Sequence, residues 1–282
     1  MGLVRRCITS MDNAFTLFKL LPKTFSAPSG GITSVDPLSL FLAIIAGGVT
    51  GTLINYLSDV LPLTRRLTQP LCPECNQPYS IKDYFFARKC SNCDRRRPTR
   101  SIIVLIGVIL CSVLLQFFPF AYLSFWATLP IMIFLVAILV IDIEHRLVLI
   151  EMSLVGILLF LIYGVILRGF SRTLLGGLGG LLIMLAFYFL GILFSKIVGK
   201  LRGHQINEVA FGFGDVCAGT FLGLLAGWPG IVGAIIIALI SFGAFSFFFI
   251  IALLLSKRYR AFANALPFTP FLILGTILIF YF

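Results

Sequence analysis

Residues 229–255 read PGIVGAIIIALISFGAFSFFFIIALLL, 27 residues without a charged side chain. A helix needs about 20 predominantly apolar residues to cross a bilayer, so this stretch can span one unaided. Working outward, seven more stretches approximately meet the same criterion: 39–61, 101–119, 121–141, 147–167, 174–195, 209–227 and 265–282. The sixth in chain order, 209–227, is short and glycine-rich. The whole chain is 59 % hydrophobic and only 12 % charged, whereas soluble domains carry about 25 % charged residues. Lipid offers no partners to open backbone groups, so the spans must be helices. The expected fold class is an all-α polytopic membrane protein with about eight transmembrane helices. Four regions follow from this: a tail at 1–37, surface or flexible; a first span at 38–61; a polar loop at 62–100; and a membrane core at 101–282.

The net charge of +11 raises nucleic acid as a partner until the basic residues are placed along the chain. With residues 62–100 taken as cytoplasmic, 16 of the 22 Lys and Arg fall on that side and six on the other, counting the N-terminal tail. That is the positive-inside asymmetry of a multi-pass protein. A lipid bilayer is therefore the expected partner, no nucleic acid is needed, and the 62–100 loop faces the cytoplasm. The tail carries Arg5 and Arg6 but no continuous apolar core followed by a small-residue cleavage site, so it does not read as a signal peptide. Within it, 11–22 is weakly amphipathic, and Ser-Ala-Pro-Ser-Gly-Gly at 26–31 is a flexible connection.

The polar loop holds Cys72-Pro-Glu-Cys75 and Cys90-Ser-Asn-Cys93, two C-x-x-C pairs separated by 14 residues. Each pair makes a tight knuckle, and two knuckles can surround Zn²⁺ with four thiolates. The loop has too few apolar residues for a core, and a bound metal would supply the missing stability. Cys72, Cys75, Cys90 and Cys93 are thus the expected ligands of a structural zinc in a small zinc-ribbon-like loop. Two disulfides or four free thiols are the alternatives, and disulfides would need an oxidising compartment. Cys111 and Cys217 read as small buried hydrophobes.

Only 11 of 282 residues are acidic, and an ionisable group beside lipid is by default functional. Asp142, in Val140-Ile141-Asp142-Ile143-Glu144-His145, ends the third span. Asp215, in Gly212-Phe213-Gly214-Asp215, opens the sixth. The alternation of eight spans puts both at the cytoplasmic face. Two carboxyls that meet there would share a proton, one activating water and the other protonating a carbonyl oxygen. Asp142 and Asp215 are the catalytic candidates, and peptide hydrolysis is the expected chemistry. Gly212 and Gly214 let a substrate chain approach closely. Glu144 reads as solvated and as an acidic contact for a basic peptide, Glu151 as a partly buried partner or a substrate contact, and Glu208 as a further acidic contact. His145 and His204 are too isolated for a metal site. Gly176-Gly177-Leu178-Gly179-Gly180 lacks the features of a phosphate loop and reads as a close helix contact. Pro267-Phe268-Thr269-Pro270 interrupts the start of the last span, either as a kink or as a docking edge for extended substrate.

Taken together, the chain after residue 40 resembles the type IV prepilin leader peptidases, GxGD intramembrane aspartic proteases. The likeness rests on Gly51, Asn55 and Leu61-Pro62, the four cysteines, Ile141-Asp142-Ile143-Glu144-His145-Arg146-Leu147, Gly212-Phe213-Gly214-Asp215-Val216, and Pro267-Phe268-Thr269-Pro270-Phe271. It implies a protein of the cytoplasmic (inner) membrane that removes short basic leaders from prepilin or pseudopilin precursors. It also implies Asp142 and Asp215 as the catalytic pair. Many members methylate the new N-terminus with S-adenosylmethionine, and the resemblance carries that cofactor as an implication. Two rival readings are a transporter or ion-coupled carrier using the aspartates, and an inactive pilus or secretion assembly protein. Oligomeric state is not legible.

Overall fold

In the computed structural model of the chain, the residues described are 36–64, 67–72, 75, 77–79, 84, 90, 92–93, 99–118, 123–145, 150–202, 212–256 and 267–281. The tail reading, all but its last two residues, falls outside them, as do Arg146, His204 and Glu208. Among the described residues are eight helices: α1 (Pro37–Thr64), α2 (Thr99–Phe117), α3 (Phe125–His145), α4 (Ile150–Arg168), α5 (Phe170–Arg202), α6 (Phe213–Ala226), α7 (Gly230–Ser256) and α8 (Thr269–Tyr281). No strand occurs among them, only an isolated bridge between Leu71 and Pro78.

Six of the eight helices are long and apolar enough to cross a membrane, and the chain is a multi-pass membrane protein. The other two differ from expectation. α6 has 14 residues and α8 has 13, so each covers roughly 20 Å of a hydrocarbon core about 30 Å thick. The sixth span was expected from residue 209, but Gly212 is extended, at φ −81° and ψ 158°, and the helix starts after it. The last span was expected from 265 and begins at Thr269, between Pro267 and Pro270. In contrast, α3 runs past its expected end at 141 and takes Asp142 into its last turn.

Side-chain contacts fix the helix directions. Asn55 Nδ2 donates to the Ser101 carbonyl and Ser112 Oγ to that of Ala43, so α1 and α2 are antiparallel. Tyr163 donates to the Ala127 carbonyl while Phe160 meets Phe134, so α3 and α4 are antiparallel too. Gly156 lies against Phe221 and Gly164 against the Leu224 carbonyl, which makes α4 and α6 parallel. α3 and α6 therefore run in opposite directions. One end of the bundle collects the C-termini of α1 and α3 with the N-termini of α2, α4, α6 and α8.

The short helix α6 is carried by α5 through a glycine-lined seam. A Cβ added at Gly180 would lie 2.1 Å from the Gly219 carbonyl oxygen, and one at Gly176 would lie 2.4 Å from that of Gly223. The glycine run at 176–180 is thus the close helix contact its sequence suggested, and no larger residue fits at Gly176 or Gly180. Helix association in lipid depends on such packing because lipid tails are as apolar as leucine. Outside the core, Ile102, Ile103 and Ile106 of α2 and Phe247 and Phe248 of α7 are exposed, as lipid-facing side chains must be.

Candidate functional site

Phe134 of α3, Phe160 of α4 and Phe221 of α6 form a buried aromatic cluster with ring centroids 5.2–5.8 Å apart. This cluster is a fixed reference for the two aspartates. Asp142 lies eight residues after Phe134, and Asp215 lies six residues before Phe221. At 1.5 Å per helical residue these are roughly 12 Å and 9 Å along the axes. Because α3 and α6 are antiparallel, both displacements point to the same end. The two aspartates of the sequence reading are therefore brought to one end of the bundle, by helices that touch through Phe134 and Phe221.

Their surroundings differ. Asp142 is only 6 % exposed, in the last turn of α3. Asp215 is half-buried in the first turn of α6. Its Oδ2 accepts the Gly212 N–H at 3.0 Å, the reach-back contact of a capping carboxylate. Its Oδ1 accepts the Thr269 hydroxyl at 3.0 Å from the start of α8. Both oxygens are thus oriented, one from its own helix and one from another. Next to Thr269, Phe268 is buried and packs edge-on against Phe242 at 5.5 Å. This anchors the Pro267–Pro270 stretch in the bundle, with Pro267 half-buried at its start.

Glu144, expected to be free in solvent, is ion-paired with Arg100, and its side chain is 25 % exposed. Glu151 is exposed in the first turn of α4, where the helix dipole favours an anion, and is not partly buried as expected. Asp59, unassigned in the sequence, accepts from Tyr84 at 2.6 Å and is paired with Arg100. Gly212 and Gly214 lie at the start of α6. Among the described residues, a Cβ at Gly212 would meet nothing closer than 3.8 Å.

The four cysteines are brought together. Their Sγ atoms all lie within 4.8 Å of one another, with Cys72–Cys93 and Cys75–Cys90 at 3.6 Å. None is disulfide-bonded. Four sulfurs each about 2.3 Å from a zinc ion stand about 3.8 Å apart, so the cluster could hold a metal ion and its dimensions suit Zn²⁺. The first knuckle is a small hairpin: Cys72 N–H donates to the Gln77 carbonyl at 2.9 Å and Tyr79 N–H to that of Pro70 at 2.8 Å. The backbone N–H of Cys75, foremost among several donors, lowers the Cys72 thiol to about 6. Backbone N–H groups of Asn92 and Cys93 lower Cys90 likewise. Both shifts favour the thiolate, the metal-binding form.

The sequence missed Arg100, Asp59, Tyr84 and Thr269 as parts of this end. Thr269 stood within a stretch already singled out; the others gave no local signal. No family model, curated protein or solved structure matches this chain at a significant level.

Proposed function

We propose that this chain is a membrane aspartic endopeptidase that removes the basic leader from type IV prepilin-like precursors. The observation that carries the reading is the placement of Asp142 and Asp215 at one end of antiparallel α3 and α6, with both oxygens of Asp215 oriented. In this reading the bundle end bearing the cysteines faces the cytoplasm of the inner membrane. The apolar helix of a precursor lies against the lipid-exposed helices, and its leader remains in water. One ionised carboxylate takes a proton from water as that water attacks the scissile carbonyl carbon. The protonated partner donates to the carbonyl oxygen; on collapse of the tetrahedral species that partner regains a proton from a hydroxyl, and the leaving amine takes the proton the first carboxylate drew from water. Thr269 and Gly212 keep Asp215 aimed during these transfers. Gly212 and Gly214 leave space for the extended substrate backbone, and Pro267 lies beside its path.

Cys72, Cys75, Cys90 and Cys93 hold a structural Zn²⁺, which keeps the loop folded and takes no part in the reaction. Methyl transfer is not included. Residues 62–100 contain no glycine, so that loop holds no glycine-rich methyltransferase motif.

The test is a synthetic prepilin-like peptide incubated with the full chain in liposomes. Wild type yields a shortened product by mass spectrometry, whereas Asp142→Asn and Asp215→Asn do not. An intact peptide with wild type, or cleavage by either variant, refutes the proposal.

A further inference from the structure

Arg100 opens α2 where three parts of the molecule meet. Its guanidinium engages the Asp59 carboxylate and the Ser58 hydroxyl near the end of α1, and it pairs with Glu144 in the last turn of α3. Asp59 also accepts from Tyr84, whose ring packs edge-on against Tyr56 and Tyr79 at 6.2 and 6.1 Å. Tyr79 lies beside the Cys72 sulfur, and the Tyr56 hydroxyl donates to the Thr68 carbonyl at 2.8 Å. A continuous series of contacts therefore runs from the four sulfurs through Tyr79, Tyr84, Asp59 and Arg100 to Glu144, two residues from Asp142.

The physical character of this node is orientation more than stability. Arg100, Asp59 and Glu144 side chains are 28 %, 29 % and 25 % exposed, so solvent screens their attraction. A planar guanidinium nevertheless binds two carboxylates at a fixed mutual angle, which a single ammonium cannot do. The last turn of any helix lacks intrahelical donors for its carbonyls and frays easily. A cation held at the end of α3 opposes that fraying and suits the helix dipole.

We propose that Arg100 is a positioning residue that locks the Asp142-bearing turn of α3 to the tetracysteine loop, so that metal occupancy of the loop is felt at Asp142. This rests on the peptidase reading only for its catalytic consequence. Coupling of this kind is read as a change at one site when the other is altered.

The full chain is reconstituted in liposomes with zinc, then treated or not with a chelator. Labelling of Asp142 by a hydrophobic carbodiimide is quantified by peptide mass spectrometry. In wild type, chelation raises labelling about tenfold, within the usual range of site-to-site coupling. Arg100→Gln and Glu144→Gln are labelled at the chelated level in both states, and Arg100→Lys falls between. In the cleavage assay Arg100→Gln lowers kcat about a hundredfold with KM little changed, as a misplaced catalytic group does. Arg100→Lys recovers part of the loss. If Arg100→Gln does not fold, Glu144→Gln carries the test alone. Wild-type labelling in the glutamine variants, or an equal response to chelation in every protein, overturns the proposal. If labelling behaves as expected but wild type cleaves no peptide, the coupling stands and the peptidase reading falls.

Discussion

The α5–α6 seam and the aspartate end are held by opposite means. In the seam, glycines 176, 180, 219 and 223 bring the two backbones into close approach, with the Met184 side chain packed over Gly219. At the aspartate end, Arg100, Asp59, Glu144, Tyr84 and Thr269 make directional polar contacts over long sequence separations. The seam carries α6, a helix too short to cross the membrane alone, and so sets where Asp215 can be. The Thr269 hydroxyl then sets which way the Asp215 carboxylate points, and Arg100 holds the turn of α3 that bears Asp142. Shape places the site, and hydrogen bonds aim it.

That division can be broken at several points. The largest effect is expected from the carboxylates themselves: Asp142→Asn or Asp215→Asn should lower cleavage by at least about 10⁴-fold, as loss of a catalytic group commonly does. Circular dichroism in detergent should show the helices intact. Next is the seam. Gly180→Leu forces a side chain into the Gly219 carbonyl and should destabilise the fold by about 3 kcal/mol, measured by reversible unfolding in mixed detergent. Gly107→Ala, whose new methyl meets nothing within 4 Å, should be neutral and serves as the contrast. Thr269→Val removes one hydrogen bond to Asp215 and should cost about tenfold in kcat, while Thr269→Ser retains activity.

The smallest effect concerns the loop without metal. The Cys72 thiol lies near 6 in the fold against an ordinary 9.0, held down first by the Cys75 N–H. A depressed value stabilises the folded loop fully above about 9, less as pH falls, and not at all below about 6. Protection of the chelated loop from protease should therefore grow as pH rises through that window. A loop protected equally across it would mean that the thiolate contributes nothing.

Much of this architecture was legible because the apolar runs are long and the cysteine spacing is tight. The helix ends were less so. α3 continues to His145 because Glu144 finds a cation in Arg100, a partner 44 residues earlier that no local pattern announces. Arg100 itself reads in the sequence as one more orientation charge at the start of a span. The glycine run announced a close contact but not its partner, since Gly219 and Gly223 lie in another apolar stretch of similar composition. Both aspartates stand out in sequence through their scarcity, whereas Thr269 does not, because a hydroxyl in the first turn of a helix commonly serves the backbone.

The convergence of the two carboxylates is tested most directly by a cysteine pair at their positions. With Cys7, Cys111 and Cys217 replaced by alanine, Asp142→Cys and Asp215→Cys are combined in the full chain and treated in liposomes with a short bifunctional thiol reagent. An internal crosslink between the two, found by peptide mass spectrometry and absent from either single variant, is the predicted result. A folded protein in which both thiols react singly and never join would contradict the account.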